Sequence, residues 1–450
     1  MLKIGTSWVR GVVGEGLTSE IAVRFGSAFG SWVDGRDIIL GIDSRNSSPM
    51  LRSAVISGLM YSGRRTLDLG ICPTPLVSFA IRELGASGGI SISGSHNDSR
   101  WNALKFFGPD GVLLGTDKTE ELLDIYHASD FTPDSKRLFN QPVSPVELED
   151  RYLSHLLSFI DAEMIRERGF AVAVDLRYGT CAGVTEKLME MLGCRLVGIN
   201  ADGNLPEGYS PAPGRAHMEA LGEAVRESGA DLGAAINVDG DRISFVTGKG
   251  RILSEEMTFP LAAINRLGRR TGPIVTNHST SNMIDRVAGT YGAVLTRTRV
   301  GEAHVVNRGL EDGAILAGEG SGGVAALPAS MTYDALMTLE MILETLADKN
   351  STIEEMAAGL PGLHMKKGEI SCSPSSAYRA LELFRLGQEN IDPDCEDGVR
   401  IILPDGWVHV RVSGSESLIR VIAETSSPES VNEIFDKTIL RIRGSLKEDS

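Results

Sequence analysis

Cysteine is scarce in this chain of 450 residues. The five present (Cys72, Cys181, Cys194, Cys372 and Cys395) are scattered, odd in number and show no Cys-x-x-Cys spacing. That usage argues against a disulfide framework and for reduced thiols in a cytoplasmic protein. Positive charge is also in deficit, with a formal net charge of −16. Nucleic acid or an anionic membrane as the main partner needs a basic footprint, so both are set aside. A small anionic ligand stays open wherever basic residues converge locally. No apolar run approaches the ~20 residues that span a bilayer. No N-terminal stretch has the charged, apolar, small-residue order of a secretory signal. Low-complexity tracts and strong short repeats are missing too.

What is present is ordinary globular composition, 42% hydrophobic and 23% charged, spread over a length that exceeds one core. The first third alternates helical and strand-like patterns. Residues 19–33 place Ile21, Phe25, Ala28, Phe29 and Trp32 on one helical face. DIILGID (37–43), TLDLG (66–70) and GISIS (89–93) read as strands, with helices over 50–62 and after Pro75. This βαβ rhythm predicts a largely parallel sheet covered by helices. A polar stretch at 127–147 interrupts it, and FAVAVDL (170–176) restarts it. GKGRILSEE (248–256) is a second break. PIVTNHS, AVLTRT and GAILAG then form a third α/β block, closed by DALMTLEMILETLADK with Leu336, Leu339, Ile342, Leu343 and Leu346 on one face. The last eighty or so residues differ: VRIILPDGWVHVRV reads as two strands around a turn, and Ser427 and Pro428 start a final helix. The expected divisions are 1–146, 147–249, 250–364 and 365–450, three α/β blocks and a smaller α+β one.

Each block carries one conspicuous polar loop behind a strand, where ligands of open α/β sheets gather. SGSHND holds Ser95, with Lys105 shortly after it in WNALKFF. A serine hydroxyl needs a base, a metal or prior phosphorylation to act as a nucleophile, and this loop alone reads as a Gly-Ser turn. INVDGDR alternates Asn237, Asp239 and Asp241, oxygen ligands suited to a small hard cation such as Mg²⁺. An EF-hand is excluded because no glutamate closes a twelve-residue loop. GEGSGG (318–323) satisfies Gly-x-Gly-x-x-Gly, but VAALP follows where a dinucleotide fold opens a helix. Glu319 and Ser321 on that loop suit sugar hydroxyls. RVSGSES (411–417), with Arg420 beyond, concentrates donors for phosphate. Together the four loops describe phosphoryl transfer on a phosphosugar.

In order and along the whole chain, from GTSWVRGVVGEGLT (5–18) to RVSGSESLIRVIAE (411–424), these motifs resemble those of the α-D-phosphohexomutases. That superfamily holds phosphoglucomutase, phosphomannomutase and phosphoglucosamine mutase. The resemblance implies three related α/β domains with mixed sheets and a C-terminal α+β domain around a central cleft. It implies that Ser95 carries the transferred phosphoryl group, with His96, Lys105, Arg10 and Arg242 at the reacting centre. Asn237, Asp239 and Asp241 would hold Mg²⁺ together with that serine. Glu319, Ser321, Arg299 and Gly301 would contact the substrate. Arg411, Ser413, Gly414, Ser415 and Arg420 would bind the phosphate not being transferred. The implied reaction interconverts hexose 1-phosphate and 6-phosphate through a hexose 1,6-bisphosphate, in a cytoplasmic monomer or homodimer. Glucosamine phosphate is the alternative substrate; a weakly active sugar-phosphate-binding paralogue and a metal-dependent phosphatase are the readings of other classes. The chain departs from the family pattern at Asn237 for aspartate, Asp98 and Ser417 for proline, Gly323 for histidine and Arg299 for lysine.

Overall fold

The computed structural model describes residues 2–95, 97–134, 143–202, 206, 209, 215–414 and 416–447. Strand Asp37–Ile42 leads through helix Ser48–Tyr61 to strand Arg65–Ile71, and then through helix Thr74–Leu84 to strand Gly88–Ile92. The first of these strands pairs in parallel with the other two, as the alternation predicts. Direction then reverses, because Gly88–Ile92 pairs antiparallel with Trp101–Phe107, which pairs antiparallel with Trp8–Val12. The link from Ile92 to Trp101 is too short for the dozen or so residues of a parallel crossover. That short link is the serine loop. The sheet has seven strands and is mixed.

Two further mixed sheets repeat the plan with four strands each. One orders Ile243–Thr247, Leu232–Ile236, Ala171–Asp175 and Arg195–Ile199, with only the first strand antiparallel to its neighbour. The other orders Leu295–Thr298, Ile274–Asn277, Leu316–Gly318 and Val324–Ala325, again with one antiparallel edge. The fourth sheet is wholly antiparallel: His364–Ser371, Leu418–Thr425, Gly406–Val412 and Val399–Leu403. Helix Pro428–Lys447 covers it, its first turn capped by the Ser427 hydroxyl accepting from Ser430 N at 3.1 Å.

Two stretches read as breaks behave differently. After helix Thr116–Ala128, Ser144–Pro145 returns to the first sheet beside Arg65–Ile71, while residues 135–142 lie outside the described ones. Near 248–256 the chain turns tightly, with Thr247 N donating to Arg251 O at 2.9 Å.

Helix Ala335–Asp348 departs from its expected single apolar face. Every residue from Ala335 to Leu346 is buried, Thr338, Glu340 and Glu344 included. It is packed between helices Thr258–Arg269 and Ala162–Arg168 and against strands of two sheets, so no side is left for water. Its core is continuous with Phe79, Tyr152, Val174 and Leu316, which join the first three blocks. The last block has its own core around Phe384, Val410, Val421 and Phe435. Among the described residues no helix is long and apolar enough to cross a membrane.

Candidate active site

The serine loop is held from behind. Ser95 adopts φ 48, a left-handed conformation that costs a non-glycine residue and persists only where its surroundings impose it. Asp43 and Arg45, at the end of strand Asp37–Ile42, impose it here. Asp43 accepts from the Ser93 hydroxyl at 2.8 Å and Gly94 N at 3.1 Å. The buried Arg45 guanidinium donates to the carbonyls of Ser95 at 2.7 Å, Asn97 at 2.8 Å and Asp98 at 2.6 Å. The Asp98 carboxylate turns outward to Arg100 at 2.9 Å, and that pairing lowers its pKa. Asp98 thus serves the loop through its backbone. His96 lies outside the described residues.

The acidic loop follows strand Leu232–Ile236. Gly240 sits at φ 71, and a Cβ there would lie 2.5 Å from Cys181 Sγ and 2.9 Å from Pro73 Cβ. Thr74 N donates to Asp239 O at 2.8 Å and Ala335 N to Gly240 O at 3.0 Å, so elements of the first and third blocks both seat this turn. Asp239 and Asp241 are buried and converge on Lys105, whose Nζ lies 2.6 Å from one and 3.0 Å from the other. Burial alone would lower the Lys105 ammonium, but Asp239, Asp241 and Glu302 raise it well above an ordinary lysine. Burial opposes ionisation of both aspartates. Lys105 and Arg242 nonetheless hold Asp241 down at about 2, while burial and Asp241 itself raise Asp239.

Asn237 is turned away from its expected role. Its Oδ1 accepts from Arg242 N at 3.0 Å, and its Nδ2 donates to Asp239 at 2.9 Å and also to Asp241. Among the described residues no three His, Cys, Asp or Glu side chains form a metal cage. The two carboxylates nevertheless already bind one cation, the Lys105 ammonium, which is the chemistry an Mg²⁺ seat requires. Mg²⁺ is commonly held by one or two carboxylates completed by phosphate oxygens and water. Asp239 and Asp241 fit it, and Asn237 joins them only if its amide turns over.

The glycine-rich loop joins strands Leu316–Gly318 and Val324–Ala325. Gly322 O accepts from Ile243 N at 3.1 Å, tying this loop to the acidic one. Glu319 Oε1 accepts from Gly301 N at 2.8 Å and from the Asn277 amide. Ser321 Oγ is buried without a partner among the described residues. Gly323 has no room for a side chain, since a Cβ would meet the Tyr333 ring at 2.2 Å. Tyr333 fills the space a histidine at 323 would need.

In the last sheet Arg411 and Arg420 stand directly opposite each other on the paired strands Gly406–Val412 and Leu418–Thr425. Cross-strand partners share a face, so both guanidiniums serve one side. Arg420 lies 2.6 Å from Glu369 and 2.8 Å from Glu416, and Arg411 lies 3.9 Å from Asp397. Burial lowers the pKa of Arg411. Ser415 lies outside the described residues.

These four loops open on one cleft of about 470 Å³. Arg10, Ser95, Lys105, Asp241, Arg242, Gly301, Glu319, Ser321, Arg411, Ser413, Gly414 and Arg420 all line it. Arg10 donates to the Asn97 amide oxygen at 3.0 Å with its guanidinium over the Trp8 ring. Arg299, also expected at the site, does not line the cleft; it is half exposed and lies 3.8 Å from Glu396. Asn237 and Asp239 lie behind the wall, their loop showing Asp241 to the cleft.

Sequence reasoning overlooked Asp43, Arg45 and Glu302. The first two were findable, since IDSRNSS is a further polar loop at the end of a strand. Glu302 opens helix Glu302–Glu311 and lines the cleft. Burial, then Asp241, push its carboxyl up to about 7. No local pattern marks it.

Comparison with known proteins agrees along the entire chain. Models of phosphoglucomutase/phosphomannomutase alpha/beta/alpha domains I, II and III match residues 1–133, 150–250 and 257–363, and the model of the C-terminal domain matches 373–440. A phosphoglucomutase/phosphomannomutase of Thermococcus kodakarensis is 32% identical over 98% of this chain and 99% of its own. A probable phosphoglucosamine mutase of Methanopyrus kandleri is 31% identical over 99% and 98%. The solved structure of a phosphoglucomutase/phosphomannomutase family protein from Burkholderia thailandensis superposes with a TM-score of 0.85 at 26% identity, covering 98% of this chain and 96% of that one.

Proposed function

Because the chain belongs to the phosphoglucomutase/phosphomannomutase family and is therefore a phosphohexomutase, we propose that Ser95 is the residue that carries its transferred phosphoryl group. The observation that supports this most is the convergence of Ser95, Lys105, Asp241, Glu319, Arg411 and Arg420, from four separate sheets, on one cleft.

In this reading the substrate is a hexose monophosphate of the glucose or mannose type. Its phosphate is gripped by Arg411, Ser413, Gly414 and Arg420, and its ring hydroxyls by Glu319 and Ser321. The free hydroxyl then faces phosphorylated Ser95. A bond forms between that hydroxyl oxygen and phosphorus as the bond from phosphorus to Ser95 Oγ breaks. One proton moves from the sugar hydroxyl to Ser95 Oγ, and Lys105 relays it by giving one and taking one. An ammonium so strongly paired releases its proton only to a base as strong as the leaving serine oxygen. The resulting hexose 1,6-bisphosphate turns within the cleft and returns its other phosphoryl group to Ser95. Arg10, Arg242 and Lys105 spread positive charge around the phosphoryl oxygens, and positioning plus neutralisation is what such transfers need. Mg²⁺, held by Asp239 and Asp241 with the phosphoserine, would neutralise phosphoryl charge further. Reduced cysteines and a cleft built from one chain suit a cytoplasmic monomer or homodimer.

Glucosamine phosphate is the second reading, favoured by Glu302 in the cleft wall. The test is ³¹P NMR on glucose, mannose and glucosamine 1-phosphates with catalytic amounts of the matching bisphosphate. The expected outcome is conversion to the 6-phosphate without free phosphate. Accumulation of inorganic phosphate without isomer exchange would replace the mutase by a phosphatase.

A further inference from the structure

Along one face of strand Gly406–Val412 stand Trp407, His409 and Arg411, alternating with Val408 and Val410, which belong to the last block's own core. Arg411 brings this row to the cleft. His409, one step behind it, is fully buried, and its ring reaches into the third block. Its Nε2 faces Asp397 O, and a carbonyl oxygen can only accept, so Nε2 holds the ring proton. Nδ1 therefore accepts, and it takes the Ser279 hydroxyl at 2.9 Å. Burial pushes the imidazole pKa down to about 4, so this neutral tautomer persists.

Two hydrogen-bonded routes lead from His409 to Glu319. Ser279 N donates to Asn277 Oδ1 at 2.7 Å, and the Asn277 amide donates to Glu319 Oε1. On the other side Asp397 Oδ2 accepts from Val300 N at 3.1 Å, and the next residue, Gly301, donates its N–H to Glu319 Oε1 at 2.8 Å. Asp397 also lies 3.9 Å from Arg411. The imidazole thus closes a ring of contacts between two blocks whose sheets are separate. Farther from the cleft the same face makes a second tie, where Glu424 Oε1 accepts from Trp407 Nε1 at 2.9 Å and from Asn282 N at 2.8 Å. That tie fastens the blocks together; the His409 tie is the one beside the arginine.

We propose that His409, acting through Ser279, is a positioning residue that holds the Arg411 clamp in register with Glu319. This rests on the reading of the arginine end as the phosphate site and of Glu319 as a hydroxyl site. A hexose phosphate bridges the two, so it binds only as well as their spacing fits, and a misplacement of about 1 Å is already costly. A lone phosphate spans nothing and is indifferent to that spacing. His409 sits on a strand and Ser279 has a short side chain, so neither end of the tie has slack. The register is set before the ligand arrives, which spares the ordering cost at binding.

The experiment measures binding of glucose 6-phosphate and of inorganic phosphate by titration calorimetry. It uses the parent protein, Ser279→Ala, His409→Ala, the double variant and Ser279→Thr. Loss of the Ser279 hydroxyl should weaken glucose 6-phosphate about five- to tenfold, roughly the worth of one neutral hydrogen bond, and leave inorganic phosphate unchanged. His409→Ala should do the same, and the double variant should be no weaker than either single one, because both remove one contact. Ser279→Thr, which keeps the hydroxyl, should bind both ligands as the parent does. Equal weakening of both ligands overturns the proposal by making the pair a general brace. Unchanged glucose 6-phosphate binding in Ser279→Ala overturns it too, and that readout stands even if His409→Ala fails to fold. Failure of the underlying reading looks different: Arg411→Ala would bind inorganic phosphate as tightly as the parent, and the proposal would fall with it.

Discussion

Asn237 donates from Nδ2 to both Asp239 and Asp241, and so behaves as a cap on two carboxylates that would otherwise repel each other. An aspartate in its place would remove those donors and add a third negative charge beside a buried pair. Two consequences follow in opposite directions. Without metal, Asn237→Asp should melt earlier than the parent protein. With Mg²⁺ it should recover that loss, and half-maximal activity should need several-fold less Mg²⁺. Melting curves across an Mg²⁺ titration check this independently of turnover. Identical Mg²⁺ dependence in both proteins would mean that position 237 does not address the metal.

Helix Ala335–Asp348 is where a whole element bears an electrostatic cost. Glu340 is fully buried, and neither carboxylate oxygen has a partner among the described residues. Burial, with Asp334 and Glu344 adding to it, raises its pKa well above the usual range. The folded chain therefore keeps a proton that the unfolded chain releases. Stability contributed this way is complete at acid pH and declines as pH rises past the ordinary glutamate value, by about 1.4 kcal/mol per pH unit for one such group. Glu340→Gln cannot ionise and escapes the decline. Its melting temperature should match the parent's near about pH 5 and exceed it near about pH 8. Parallel curves at all pH values would show that Glu340 is not a buried neutral acid. The amphipathic reading of this helix could not foresee this. Periodicity counts apolar residues on one face, whereas burial of the other face is decided by helices and strands far away in the chain.

At the scale of the molecule, what the residues disclosed and what they withheld divide by sequence distance. The strands, the four polar loops and the final hairpin were legible because alternation, turn residues and strand-end loops are local signals. The reversal after Ile92 could have been read from the length of its link. The meeting of the loops was less legible, because it is made by contacts such as Lys105 with Asp239 and Thr74 with Asp239 that no window of sequence contains. Arg45 illustrates the limit: its guanidinium reaches across fifty residues to set the Ser95 carbonyl, though its own loop looks like a simple turn. The account stands on Ser95 being the point to which all of this is aimed. Its most direct test is intact-mass analysis after incubation with a hexose 1,6-bisphosphate, followed by peptide mapping. The account predicts one added phosphoryl group on Ser95, lost in Ser95→Ala and discharged when hexose monophosphate is supplied. A phosphoryl group that persists in Ser95→Ala, or that never appears on the parent protein, would contradict it.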